Sequence, residues 1–385
     1  MDKFFYKAEA NCIKSTNKIG DEFMRKVDFK KIITLNLIVS IIFCCLIPIS
    51  SFAQESQLAE APIFIDGEPF DTKFIMREGH LLVPALFLKH TGTFVDWNNE
   101  YQSVVFNAKD KMFAVPIGKK FTDDFNPRTG TWERGVLTTK AIKFQNEVFV
   151  PLIDVVKKLN MDVKYDTTSD RTYITTHLDV KFNSIRNINT NKKLVALTFD
   201  DGPENHYTPQ ILDILKEKGV PATFFVMGQQ VKAYPKIMQR IVNEGHAIGN
   251  HSYTHPNLSN EWSATVRKEL ESTLAEIQYN LGIKPDLLRP PYGSVTKADV
   301  AMINRLGLRN IMWSVDTMDW SGLSSEQILQ IVERQLTPGG IILQHNFQEG
   351  LLLDGSVEAL PQIIDNLHAK GYKFVTIQTL LANNQ

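Results

Sequence analysis

Thr198-Phe199-Asp200-Asp201-Gly202 closes an apolar run, and His251-Ser252-Tyr253-Thr254-His255 follows about fifty residues later. Two adjacent carboxylates and two histidines four apart supply three ligands for a divalent ion and leave one carboxylate to handle a proton. That is the donor set of a metal-dependent hydrolase. A carboxylate with two imidazoles suits zinc first and also accepts cobalt, nickel or iron. All three cysteines, Cys12, Cys44 and Cys45, precede residue 54. A metal site in the remainder must therefore be built from His and carboxylate, and no disulfide staples that part of the chain.

The elements that must position these groups begin near Leu194. Apolar runs at Leu194–Phe199, Ala222–Val226, Ala247–Asn250, Leu287-Leu288, Asn310–Val315, Ile341–Leu343 and Phe374–Ile377 read as strands. They alternate with helical stretches such as Thr208 to Lys218, Pro235 to Glu244 and Trp262 to Leu281. Successive strand-helix units predict an α/β fold, an irregular (β/α) barrel of about seven parallel strands, closed or partly closed. In such folds the active site gathers at the C-terminal strand ends. Asp200 and Asp201 end the first strand, His251 follows the third, Arg289 the fourth, Asp316 ends the fifth and His345 the sixth. All are thereby placed on one rim. His246 and His206 are read instead as a packed histidine and a surface histidine.

Five ordered motifs carry a family resemblance: Thr198–Gly202, His251–His255, Arg289-Pro290-Pro291-Tyr292-Gly293, Asp316-Thr317-Met318-Asp319-Trp320 and Leu343-Gln344-His345. Residues 194–385 resemble a polysaccharide deacetylase of the NodB-homology type, carbohydrate esterase family 4. The resemblance implies that Asp201, His251 and His255 hold the metal, and that Asp200 is the general base. It implies that the backbone N–H of Tyr292 stabilises the oxyanion, that His345 protonates the leaving amine and that Asp316 orients that imidazole. Arg289 would pair with Asp200, and Trp320 with Leu343 would form the pocket for the acetyl methyl. One departure is visible: many relatives carry Asp after the last motif's histidine, where this chain has Asn346.

Upstream, Leu82–Leu88, Phe94–Asn98 and Ser103–Phe106 are echoed by Val148–Val156, Met161–Asp166 and Thr172–Thr175, with Trp97 and Tyr165 in corresponding places. Each copy reads as strand, short amphipathic helix and hairpin, which predicts one small pseudo-symmetric α+β domain. Residues 54–182 resemble the stalk-like domain named from the N-terminus of copper amine oxidases. His80 and His90 are isolated, so a spacer or an adaptor facing the cell-wall polymer is expected rather than a copper site. Polar residues 183–193 read as a linker.

Residues 1–53 carry Lys30-Lys31, an apolar run over 32–49 and the small-residue site Ser51-Phe52-Ala53. This reads as an export signal cleaved before Gln54, with Met24 as a more ordinary start; a retained membrane anchor is the alternative. Past residue 53, 34 basic face 38 acidic residues, a mild acidity without any basic stripe that argues against a nucleic-acid partner. The N-terminal segment predicts an exported protein, secreted, associated with the cell wall or anchored to the membrane, and the family resemblance implies that it removes N-acetyl groups from N-acetylglucosamine polymer in a metal-dependent reaction. Peptidoglycan is the first substrate expected and chitooligosaccharide the second. N-acetylmuramic acid, O-acetyl groups or a non-catalytic wall-binding role are the alternatives.

Overall fold

The computed structural model describes residues 58–384, apart from 110, 181–182, 349 and 351. The expected signal or anchor over 32–49 lies outside the described residues, and among these no helix is long and apolar enough to cross a membrane. Leu58–Gln385 forms one compact unit.

Its N-terminal half runs β1 (Glu60–Ile65), β2 (Glu68–Lys73), β3 (Ile75–Arg77), β4 (His80–Pro84), a 3-10 helix (Ala85–Thr91), β5 (Phe94–Asn98) and β6 (Ser103–Ala108). It continues with β7 (Lys111–Pro116), β8 (Phe121–Asn126), β9 (Thr131–Val136), β10 (Ile142–Phe144), β11 (Glu147–Pro151), α1 (Leu152–Lys158), β12 (Asp162–Asp166) and β13 (Arg171–Thr175). The repeat is visible in this order: β4, helix, β5, β6, then β11, α1, β12, β13. Pro84 and Pro151 stand at the two helix starts, where a missing N–H costs nothing. The lead strands pair antiparallel with Val83 opposite Val150, Leu82 opposite Pro151 and Pro84 opposite Phe149. Val83 thus meets its own counterpart, and Leu82 and Pro84 each meet the counterpart of the other, which places a local two-fold axis at Val83 and Val150. Both copies bury their apolar faces in one core that includes Val83, Leu88, Val95, Phe106, Val150, Val156 and Ile174. The first copy's hairpin is extended by β7, β8 and β9 into a five-stranded meander.

The C-terminal half contains β14 (Leu194–Asp200), α2 (Tyr207–Lys218), β15 (Thr223–Val226), α3 (Gly228–Ala233), α4 (Pro235–Asn243), β16 (Ala247–Asn250), α5 (Ser263–Leu281) and β17 (Leu287–Leu288). Then come α6 (Lys297–Arg305), β18 (Arg309–Asn310), β19 (Val315–Asp316), α7 (Ser325–Gln335), β20 (Gly340–His345), α8 (Asp354–Ala369), β21 (Lys373–Phe374) and α9 (Ile377–Leu381). The order is β18-β17-β16-β15-β14-β20-β19, with β21 pairing β14 as the eighth strand. Every residue of β14 is buried, as expected of a central parallel strand covered on both faces.

The strand expected over Asn310–Val315 is divided. Its start pairs with β17 at one edge and its end with β20 at the other. Between them, Ile311 N donates to Leu288 O (2.8 Å) and Ser314 N to Ile341 O (3.1 Å). One segment therefore joins both edges, and its middle residues lack a continuous ladder because their neighbours change. The polar stretch expected as a linker also differs from expectation. Ile185 N donates to Asn310 O (2.9 Å), Ile188 N donates to Gly339 O (3.0 Å), and Ile188 is buried. Ile185 and Ile188 supply the apolar anchors, and backbone pairing overrides the polar composition.

Phe199 is fully buried on β14 and stacks on Phe224, ring centroids 5.2 Å apart. Phe199→Ala leaves a cavity in the central strand and is expected to cost about 3–5 kcal/mol, read as a lower urea midpoint by tryptophan fluorescence.

Candidate metal-dependent hydrolase site

Strand periodicity sets the first contacts. Thr198 and Asp200 are two residues apart on β14 and so share a face; Arg289 Nη1 donates to Thr198 Oγ1 (2.8 Å) and to Asp200 Oδ1 (2.7 Å). Arg289 is fully buried. Its Nε donates to Ile311 O (3.3 Å) and its Nη2 to Met312 O (3.1 Å), while its guanidinium lies 4.2 Å from the Phe225 ring centroid. A buried cation is tolerable only when its donors are used, and here acceptors from β14 and from the segment closing the barrel use them.

The backbone carbonyl of Arg289 accepts from His251 Nδ1 at 2.7 Å. A carbonyl only accepts, so the proton sits on Nδ1 and leaves the Nε2 lone pair free. His251 Nε2 lies 3.2 Å from Asp201 Oδ1, and His255 Nε2 lies 3.3 Å from the same oxygen. The spacing between the histidines is taken up by a turn, with Ser252 at φ 62° and His255 at φ 64°. Glu269 on α5 holds that turn: Oε2 accepts from Tyr253 N and Thr254 N, both at 2.7 Å, and Oε1 accepts from Thr254 Oγ1 at 2.9 Å. Burial pushes His255 down to about 4, so it presents a neutral imidazole near neutral pH.

The ligand atoms of Asp201, His251 and His255 all lie within 4.8 Å of one another. Asp201 Oδ1 is buried and makes no hydrogen bond. An unsatisfied buried carboxylate oxygen facing two imidazole nitrogens is the donor set of a divalent ion, and the residues fit one.

His345 ends β20 directly opposite Asp200 on β14. Its partner differs from expectation. Asp319, not Asp316, lies 2.8 Å from His345 Nδ1 through Oδ1, and its Oδ2 accepts from His345 N (2.8 Å) and Ser356 Oγ (2.9 Å). Asp316 Oδ1 accepts instead from Met318 N (2.9 Å) and Trp320 Nε1 (3.3 Å), so it fixes the loop and orients the tryptophan. The cause is a left-handed residue, Met318 at φ 58°, which reverses the chain after β19 and brings Asp319 back to β20. Burial opposes the charged form of His345, but the Asp319 carboxylate outweighs it, with help from Asp201 and Asp200, and raises its pKa to about 9.

These groups line a cavity of about 330 Å³ whose remaining wall includes Tyr292, Trp313, Asp316, Trp320 and Leu343. All the expected site residues border it except Arg289, which acts from beneath through Asp200. Asp319 and Trp313 were not among the expected site residues. The second aspartate of Asp316-Thr317-Met318-Asp319 is the signal that could have raised Asp319. Asn346 is buried; its Oδ1 accepts from Gly202 N (3.0 Å) and its Nδ2 donates to Thr208 Oγ1 (3.1 Å). The two ends of the amide tie the end of β20 to the loop after Asp201 and to the start of α2. His246 Nδ1 accepts from Ala222 N (3.1 Å), and His206 is exposed.

A family model described as polysaccharide deacetylase matches residues 187–311, and one described as copper amine oxidase N-terminal domain matches 64–174. A peptidoglycan-N-acetylglucosamine deacetylase of Bacillus cereus is 42% identical over 195 residues, 51% of this chain and 70% of the relative. The peptidoglycan-N-acetylmuramic acid deacetylase PdaA of Bacillus subtilis is 37% identical over 197 residues, 50% of this chain and 73% of the relative. A crystal structure of the Bc1960 peptidoglycan N-acetylglucosamine deacetylase superposes with a TM-score of 0.51 at 40% identity, covering 53% of this chain and 95% of that one.

The raised His345 pKa adds stability that is fully present below its ordinary value of 6.5 and is lost as pH rises through about 9. In Asp319→Asn the titration of this imidazole, followed by NMR, is expected to move to lower pH. Asp316→Asn is expected to leave it near its original position.

Proposed function

Because the chain belongs to the polysaccharide deacetylase family, we propose that it hydrolyses the N-acetyl group of N-acetylglucosamine in peptidoglycan and releases acetate. The observation that carries this reading is the pairing of Asp200 and His345 across neighbouring strand ends, in the cavity that Asp201, His251 and His255 also line. A base and a protonated acid on one rim are what amide hydrolysis requires.

Asp201, His251 and His255 would hold a divalent ion, with zinc first and cobalt, nickel or iron accepted. When bound, the ion lowers the pKa of water and polarises the acetamide carbonyl. Asp200 takes the proton of the attacking water through Oδ2, because Oδ1 is engaged by Arg289 at 2.7 Å. As the carbonyl carbon becomes tetrahedral, the backbone N–H of Tyr292 donates to its oxyanion. His345, its Nδ1 engaged by Asp319, gives the Nε2 proton to the sugar nitrogen, the C–N bond breaks, and acetate and a free amine remain. Leu343 and Trp320, joined by Trp313 in the same wall, accept the acetyl methyl.

The names of the relatives support peptidoglycan over chitooligosaccharide, and the PdaA likeness keeps N-acetylmuramic acid as the alternative sugar. The same reading places the protein outside the cell, where that polymer is, with the chemistry in residues 194–385 and the stalk-like half over 54–182. A non-catalytic wall-binding protein has no use for Asp200 and His345 in this geometry.

The metal-loaded full chain is expected to release acetate from peptidoglycan, with Asp200→Asn inactive. Release from no acetylated polymer, or equal release by that variant, overturns the reading. His345→Ala is expected to retain metal and to lose on the order of a hundredfold or more in rate. Loss of metal from that variant would reassign His345 as a ligand.

A further inference from the structure

We propose that the N-terminal half is a brace for the deacetylase site, with Lys89 and Asp96 as its positioning residues; the proposal rests on the functional reading above. Lys89 belongs to the 3-10 helix of the first repeat, yet its side chain is fully buried against the C-terminal half. Its Nζ donates to Leu258 O and Glu261 O, both at 2.7 Å, and pairs with Asp299 Oδ1 at 2.8 Å. An ammonium has three protons, and these partners use all of them.

Each partner leads to the site. Leu258–Asn260 is a 3-10 turn that begins three residues after His255. Asp299 is the third helical residue in the capping box of α6, whose N-cap is Thr296: its Oδ2 accepts from Thr296 N (2.8 Å) and Thr296 Oγ1 (2.7 Å), and Thr296 closes the loop that contains Tyr292. Ser259 Oγ and Ser294 Oγ, 2.9 Å apart, join the two loops directly. A single cation from the other half thus fixes the loop after a metal ligand to the loop of the oxyanion donor.

A second set of contacts acts on the other side of His255. Trp262 stands at the N-cap of α5 and makes no side-chain cap bond. The helix is capped from the N-terminal half: Asp96 Oδ1 accepts from Ala264 N (2.6 Å), and Val95 N donates to Ser263 Oγ (3.0 Å). A capping carboxylate answers the orphan N–H groups of a helix start. The helix so held carries Glu269, which fixes Tyr253 and Thr254 between the two histidines. Both attachments therefore converge on one turn, and a surface that merely glued two halves together would have no reason to do so.

Lys89→Met alone would strand Asp299 as a buried charge, so the test uses Lys89→Met with Asp299→Asn. This pair removes both charges, keeps an acceptor for Thr296 and leaves Leu258 O and Glu261 O without their donor. The full-chain double variant is expected to fold, by circular dichroism. It should lose zinc to a chelator about tenfold more readily, as for other residues that orient metal ligands, and kcat/KM should fall by a similar factor. Hydrogen exchange should rise over 251–262 and 291–296 and stay unchanged in β14 and β20. Asp96→Ala, which breaks only the cap, should raise exchange at 251–262 and keeps the proposal testable if the double variant does not fold. Wild-type zinc retention and loop exchange in a folded double variant, or unchanged exchange in Asp96→Ala, would overturn the brace. Failure of the wild-type chain to release acetate would instead overturn the functional reading, since zinc retention and exchange do not depend on the substrate.

Discussion

The guanidinium of Arg289 is the constraint on which the C-terminal half depends. A fully buried cation must find its acceptors inside the protein, because an unpaired charge there costs several kcal/mol. Its acceptors come from Thr198 and Asp200 on β14 and from the carbonyls of Ile311 and Met312, where the chain passes from one sheet edge to the other. Its own carbonyl fixes the His251 imidazole. One residue thus aims the proposed base, sets the tautomer of a proposed ligand and holds the segment that closes the barrel.

Around that centre the site separates two signs of charge. Asp200 faces the arginine, and His345 faces Asp319, whose two oxygens accept from the ring, the backbone and Ser356. In a pocket of low effective dielectric such pairings act more strongly than they would in water. The Asp200 side chain is thereby held at one oxygen and the His345 side chain at one nitrogen, each with its other atom left toward the cavity.

Much of this was legible in the sequence where chemistry and periodicity coincide. The alternation that puts Thr198 and Asp200 on one face, and the strand ends that gather Asp201, His251, Arg289 and His345, follow from residue types alone. Asp319 is not legible as the partner of His345 because Asp316 and Asp319 offer the same carboxylate three residues apart, and the choice between them is made by a left-handed methionine. Nothing about Met announces that conformation, which favours Gly, Asn or Asp. The run Asn310–Val315 has strand composition throughout, but composition does not say that its two ends pair with different neighbours. The stretch near Ile185 looked like a linker for a related reason: two isoleucines and a backbone ladder are too little pattern to set against its polar neighbours. Lys89 carried no signal, since a lysine in an amphipathic repeat is ordinarily solvated.

The double attachment of residues 309–316 also has a meaning in time. β19 needs β20 as its neighbour, and β20 lies against β14, more than 140 positions earlier in the chain. Loop-closure entropy opposes such distant pairings until other contacts support them. The second edge is joined only once β20 has docked. Completion of the site is therefore a late event in folding: a chain whose β20 has not yet docked holds the motifs in its sequence but has no assembled centre.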